Sequence, residues 1–281
     1  MKKLTLTTLF IALSLLVFSQ SLRQPVSAVY LGLAAYSTQH SDVFSYVSNQ
    51  ASLAQMKNIS VGIYGERKFL LTETSLYTAA VAIPTKKGNF GVNIKYSGFK
   101  NFNENQIGLA YARSLGKKVD IGAQFNYYSY RVPSYNSASA YNFEVGAIFH
   151  LTDKLNMGIH VYNPVGGNFS KTDEKLASAY KVGIGYDVSD NFFVGSEIVK
   201  EENFPVNLIT GVQYRFEKQF FARLGIATAT STGYAGVGLS WNNFRLDITG
   251  SYHPQLGLSP GLLLIMNVGK PNIISDNDQS L

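Results

Sequence analysis

Tyr141-Asn142-Phe143-Glu144-Val145-Gly146-Ala147-Ile148-Phe149-His150, then Thr152-Asp153-Lys154, then Leu155-Asn156-Met157-Gly158-Ile159-His160-Val161: this stretch decides the fold. Tyr141, Phe143, Val145, Ala147 and Phe149 fall on one side, against Asn142, Glu144, Gly146 and His150 on the other. After the polar break, Leu155, Met157, Ile159 and Val161 oppose Asn156, Gly158 and His160. A repeat of two is the period of a strand whose faces meet unlike surroundings. The break is short and made of turn formers, so the two strands form a hairpin.

The pattern continues in both directions. Strands are predicted at 58–66, 73–83, 89–98, 104–114, 118–131, 138–151, 154–162, 177–188, 191–200, 206–216, 219–228, 232–241, 244–252 and 260–269. Nine to eleven tilted residues are about what a strand needs to cross a bilayer. The turns alternate in size. Lys86-Lys87-Gly88, Leu115-Gly116-Lys117, Thr152-Asp153-Lys154, Ser189-Asp190-Asn191, Glu217-Lys218 and Asn242-Asn243 are tight, whereas 133–137, 163–176, 201–205 and 254–260 are longer or rich in Pro and Gly. Bacterial membrane barrels combine an even strand number with short periplasmic turns and longer external loops. The tight turns follow the even-numbered strands, which predicts both termini in the periplasm.

Composition agrees. Of 281 residues, 15% are charged and 13% aromatic, where soluble domains carry roughly a quarter charged residues. No apolar run beyond the first twenty residues is long enough for a spanning helix. Without helices, only a closed sheet satisfies its backbone in lipid. The prediction is an all-β protein, a transmembrane antiparallel β-barrel of about fourteen strands in the cell outer membrane. Apolar faces meet lipid and polar faces the lumen, with Tyr96, Tyr111, Tyr127, Tyr186, Tyr214, Trp241 and Tyr252 in the interfacial girdles. The net charge of +6 suits a basic periphery against anionic lipid headgroups. No basic run or recognition helix suggests nucleic acid. The absence of Cys excludes disulfides, thiolate metal sites and a lipid-modified N-terminal Cys. Residues 1–20, with a basic start and an apolar run to Phe18, read as a signal peptide. The barrel occupies 58–270, and 271–281 reads as a polar periplasmic tail.

Most strands place a glycine on the lumen face: Gly62, Gly91, Gly108, Gly122, Gly146, Gly158, Gly183, Gly195, Gly211, Gly225 and Gly236. Glycine weakens a strand unless the sheet bends there or something approaches closely. Two explanations stand: curvature relief, or room for an inserted segment. Residues 21–57 are the candidate insert, an N-terminal plug too apolar for a loose tail. Inward charges (Lys95, Asp120, Glu144, Lys181, Glu197, Arg215, Arg223, Arg245 and Asp247) mix signs, which suggests internal pairing.

The stretch Leu31-Gly32-Leu33-Ala34-Ala35, Asp42-Val43-Phe44 and Asn49-Gln50-Ala51-Ser52-Leu53-Ala54 resembles the start of FadL-related outer-membrane barrels, and within them the PorV/PorQ-type proteins of the Bacteroidota. Such proteins place an Asn-Pro-Ala motif before the first strand; Gln50 stands here where Pro is expected. Gly32, Asp42, Asn49, Gln50 and Ala51 are the plug residues the resemblance marks. It implies a non-catalytic accessory subunit of a protein secretion or outer-membrane assembly complex, as in type IX secretion. The alternative it offers is a FadL-like channel for hydrophobic small molecules. The short external loops favour the first. Expected partners are membrane lipid and a larger outer-membrane protein complex or, on the alternative, a hydrophobic ligand.

Catalysis has little support. His150 is expected opposite Asn156 and His160 opposite Gly146, far apart along the strands and facing the lumen. No Gly-x-Ser-x-Gly elbow is present. No carboxylate is evidently placed beside either His to complete a metal site. No cofactor is implied.

Overall fold

The computed structural model describes residues 32–132, 136–166, 170, 176–217 and 219–268. The predicted signal peptide, the first part of the predicted plug and the predicted tail lie outside the described residues. Fourteen strands form one antiparallel sheet: β1 (Ile59–Arg67), β2 (Ser75–Ile83), β3 (Asn89–Phe99), β4 (Phe102–Leu115), β5 (Val119–Val132), β6 (Asn136–His150), β7 (Leu155–Tyr162), β8 (Ala179–Ser189), β9 (Phe192–Glu201), β10 (Asn207–Phe216), β11 (Phe220–Ala227), β12 (Thr232–Trp241), β13 (Phe244–His253) and β14 (Gly257–Val268). Each pairs with its sequence neighbours, and β1 pairs with β14, so the barrel closes. Closure leaves no free sheet edge, the condition for a sheet in lipid.

The outer surface is a belt of exposed large apolar side chains. Ile107, Leu109 and Tyr111 of β4 are exposed, while Gln106, Gly108 and Ala110 between them point inward and are buried. A belt this extensive belongs to a lipid-facing wall. No helix among the described residues is long and apolar enough to cross a membrane. Among the girdle residues, Tyr111, Tyr127, Tyr186, Tyr214, Trp241 and Tyr252 are exposed on the outer face, while Tyr96 is half-buried beside Tyr77, ring centroids 6.3 Å apart.

Five strands begin two or three residues from where the sequence reading puts them, among them β4 at Phe102 and β8 at Ala179. Strand β2 begins later because Thr72–Thr74 forms a 3-10 turn. Strand β6 begins earlier, at Asn136. Strand β14 begins at Gly257 rather than Pro260, because the turn before it ends on Gly257 at φ 91°, a conformation that costs glycine little. Among the described residues one irregularity interrupts the ladders, a register shift at Asp187/Ser189 where β8 meets β9.

The apolar core sits inside the barrel. Residues preceding β1 fold into the lumen at the tight-turn end as three short helical pieces, Ala34–Tyr36, Ser45–Ser48 and Gln50–Gln55. Their Leu33, Tyr36, Val43, Phe44, Tyr46, Val47 and Leu53 pack on inward residues of the wall. The lumen face is therefore not uniformly polar, contrary to the expectation. Ile209, Leu263 and Ile265 point inward and are buried because they meet this segment rather than water.

Candidate functional site

The inserted segment and the wall that receives it form the candidate site. On β7 and β8, Gly158 and Gly183 flank the ring of Tyr36; a Cβ on either would overlap that ring. Tyr36 reaches on to donate a hydrogen bond to Glu197 Oε2 at 2.5 Å. On β5 and β6, a Cβ at Gly122 would strike the backbone of Gln50, and one at Gly146 would strike the Asn49 side chain. Gly62 lies beneath Phe44 and Val43, and Gly91 beneath Tyr46 and Leu53. At these strands the missing side chains are room for the insert.

Gly108 differs. A Cβ there would meet the side chains of Gln124 and Asn126, not the segment. Gly32 is hemmed in by Ser48 of the segment itself. Four alanines belong with the glycines and were not picked out from the sequence: Ala80 and Ala82 of β2, Ala110 and Ala112 of β4, all fully buried against the same core. The signal was available, since each Ala-x-Ala pair keeps the inward parity.

Polar contacts fix the segment in register. Asn49 caps the last helical piece by accepting from Ala51 N at 3.1 Å and donates to Ile159 O at 3.1 Å. Gln50 donates to Glu144 Oε2 at 2.8 Å. That contact needs a side-chain amide, which the proline expected at this position lacks. Asn89 donates to the carbonyls of Leu53, Ala54 and Met56. Ser37 and Thr38 both donate to Asp187, at the register shift. Lys181 approaches Ser48 Oγ at 3.2 Å and Glu197 at 3.5 Å.

Charge dominates across the lumen, on β10 to β13. Arg245 pairs with Asp42 of the segment at 2.9 Å and with Asp247 at 2.6 Å. Arg223 pairs with Asp247 at 2.8 Å. Both guanidiniums also lie against the ring of Phe221, each 4.7 Å from its centroid. Beside them His40 is buried and accepts from Gln213 at 2.9 Å on Nδ1. Burial first, and Arg215 second, hold the His40 pKa down at about 4.

Deeper in the barrel, Glu144 anchors a buried network. It accepts from Gln50, Gln124 and Asn126 and is bonded to His160 at 2.9 Å. Asn93, Gln106 and Asn142 extend the network around β3 to β6. The expectation that the histidines lack placed carboxylates is corrected here. His150 meets Asp120 at 2.8 Å, and His160 meets Glu144. Both partners are diagonal across the ladder rather than directly opposite, a separation long side chains bridge. Neither pair gathers a third ligand: no cluster of three metal-ligating groups occurs among the described residues.

At the long-loop end, Leu176 packs on Tyr128, Ala138 and Ala140, and Asn163 binds Leu176 O at 2.7 Å. Phe69, in the loop after β1, lies edge-on to His253. On the outer wall, Gly65 and Ala79 form the floor of an apolar hollow of about 560 Å³, walled by Ile63, Tyr77, Ile94 and Leu262.

No family model matches the sequence, and no curated protein matches it. Solved structures do. The toluene transporter TodX of Pseudomonas putida aligns with a TM-score of 0.63 at 9% identity, covering 89% of this chain and 99% of that one. The toluene transporter TbuX of Ralstonia pickettii aligns at 0.56 and 11%, covering 89% and 98%. A FadL homologue of Pseudomonas aeruginosa aligns at 0.55 and 11%, covering 88% and 97%. The shared feature is the fold, that of FadL-family outer-membrane barrels. The likeness falls on the FadL side of the expected resemblance, and nothing in it singles out the PorV/PorQ-type proteins or the Bacteroidota.

Proposed function

We propose that this protein is a plugged outer-membrane channel for small hydrophobic molecules, FadL-like in plan, with the tight turns and both termini in the periplasm. The observation that carries the reading is residues 32–55 folded inside a closed barrel, on side chains and glycines shaped to receive them. Similarity to two toluene transporters over nearly their whole length supports the choice of cargo class. The chain performs no chemistry in this reading: the hydrogen-bonded ring nitrogens of His150 and His160 are engaged by Asn156, Asp120 and Glu144 within the wall.

Uptake of toluene by cells that carry or lack the protein tests the proposal. A double variant Ser37→Cys/Asp187→Cys joins the segment to β8 once oxidised, because Ser37 Oγ and Asp187 Oδ1 are 2.5 Å apart. Uptake by the reduced variant and its loss on oxidation are expected. Equal uptake with and without the protein overturns the reading.

A second reading is favoured by one observation. The network around Glu144 is buried and polar at mid-lumen, a poor path for an apolar solute. A PorV/PorQ-like accessory subunit needs no path, and it predicts a stoichiometric protein partner on purification from native membranes.

A further inference from the structure

The rim at the tight-turn end is electrically divided. Lys86 and Lys87 stand on the turn from β2 to β3, Lys117 and Lys118 on the next tight turn, and Lys154 on the one after. Arg113 projects outward near the end of β4, and Lys57 leads into β1. All seven are exposed. Among the described residues none is within ion-pair distance of an acidic side chain, and Asp153 is the sole acid on those three turns. The rest of the rim lacks this excess of cations. The turns from β8 to β13 carry Asp190 and Glu217, with Lys218 next to Glu217 in the sequence.

The basic arc is also built into the apolar belt. Arg113 continues the outward column of Ile107, Leu109 and Tyr111, two residues beyond Tyr111. Tyr111 packs on Phe90 with centroids 5.1 Å apart, and its hydroxyl donates to Lys87 O at 2.7 Å. An aromatic pair therefore lies directly below the lysines, as in an interfacial girdle. Leu115 and Leu151, both more than half exposed, adjoin the basic turns. Turns that present leucine and lysine together match the boundary between acyl chains and headgroups; a water-exposed protein-docking face would not require the leucines.

We propose that the arc from β1 to β7 is a binding surface for anionic phospholipid, with the lipid phosphates on Arg113 and the turn lysines and the tails on the belt below. The opposite arc does not select lipid. The surface is independent of what the lumen carries, so it stands or falls apart from the proposed function. It sets the barrel's surroundings asymmetrically: one side keeps an annulus of charged lipid, and the side of Asp190 and Glu217 stays free of it.

The test uses the full protein in phosphatidylcholine bilayers with trace spin-labelled phosphatidylglycerol or phosphatidylcholine, read by electron paramagnetic resonance. The wild type should hold phosphatidylglycerol over phosphatidylcholine by roughly fivefold, and high salt should abolish the preference. The variant K86Q/K87Q/R113Q/K117Q/K118Q/K154Q should show no preference, while D190N/E217Q should keep it. If the sixfold variant does not give the compact, heat-modifiable band of a folded barrel, K86Q/K87Q and K117Q/K118Q are read separately and each should lose part of the preference. Equal retention of both lipids by the wild type overturns the proposal, as does an undiminished preference in the neutralised variants. Absence of lipid preference together with carbodiimide coupling of Lys117 to another protein in native membranes replaces it with an acidic protein partner.

Discussion

Tyr36 and Asp42 are six residues apart in the inserted segment, and the wall holds them by opposite means. Around Tyr36 the strands withdraw their side chains, so that the ring lies against Gly158 and Gly183. Around Asp42 the wall extends side chains, and Arg245 and Arg223 share the carboxylates of Asp42 and Asp247. The first contact, of the ring with the glycines, is one of shape, although the Tyr36 hydroxyl also meets Glu197. The second is electrostatic, and its partners are costly to leave alone in a dry interior. One segment is thus seated by fit on one flank and by charge on the other, and the flanks should fail under different insults.

The largest effect is expected on the charged flank. Arg245→Met removes the cation shared by Asp42 and Asp247, and loss of one partner from a buried pair costs about 3–5 kcal/mol. The measurement is the urea midpoint of the reconstituted barrel, together with protease cleavage within 32–55. Asp42→Asn in the same background should recover part of the loss, because one stranded charge is removed. Unchanged protection would mean that fit alone seats the segment.

The fitted flank should show a smaller loss. Gly183→Val forces a side chain into the Tyr36 ring, and overpacking of this kind costs about 1–3 kcal/mol. Adding Tyr36→Ala should make the pair less than additive. Strict additivity would break the assignment of Gly183 to that ring.

A pH titration sharpens the contrast. An undocked His40 titrates near its ordinary 6.5, whereas the docked one is held at about 4. Above about 6.5 both forms are neutral and docking is undiminished. As pH falls from there to about 4 the free form takes up the proton first, so docking weakens. Arg215, Arg223 and Arg245 oppose the added charge and Asp187 partly offsets them. Hydrogen exchange of residues 32–55 should accelerate over that window, and His40→Gln should flatten the response. The smallest effect belongs to the exposed bond from Gln39 to Asp190: Gln39→Ala should change stability by less than about 0.5 kcal/mol.

The barrel was legible because its strands separate two media, and that separation writes a period of two into each of them. Turn lengths then fixed which strands pair. The interior was less legible, for a geometric reason. The bond from Tyr36 to Glu197 joins residues 161 positions apart, and no local period encodes such a pair. Glycine marked the close approaches at Gly122 and Gly183, but at Gly108 the same residue makes room for amides of the wall. The partners of His150 and His160 do not stand directly across the ladder, where a strand pattern would show them; Asp120 and Glu144 are diagonal to them. Gln50 departs from the motif, and in the fold it is the segment's link to Glu144.

Three residues, Met56 to Asn58, separate the last helical piece from β1. At about 3.3–3.6 Å per residue such a leash spans roughly 10 Å. A segment that leaves its seat therefore does not leave the protein; it remains at the mouth, where its effective concentration is on the order of millimolar. Reclosure is then a unimolecular event, set by the seat and the leash and independent of how many copies the membrane holds.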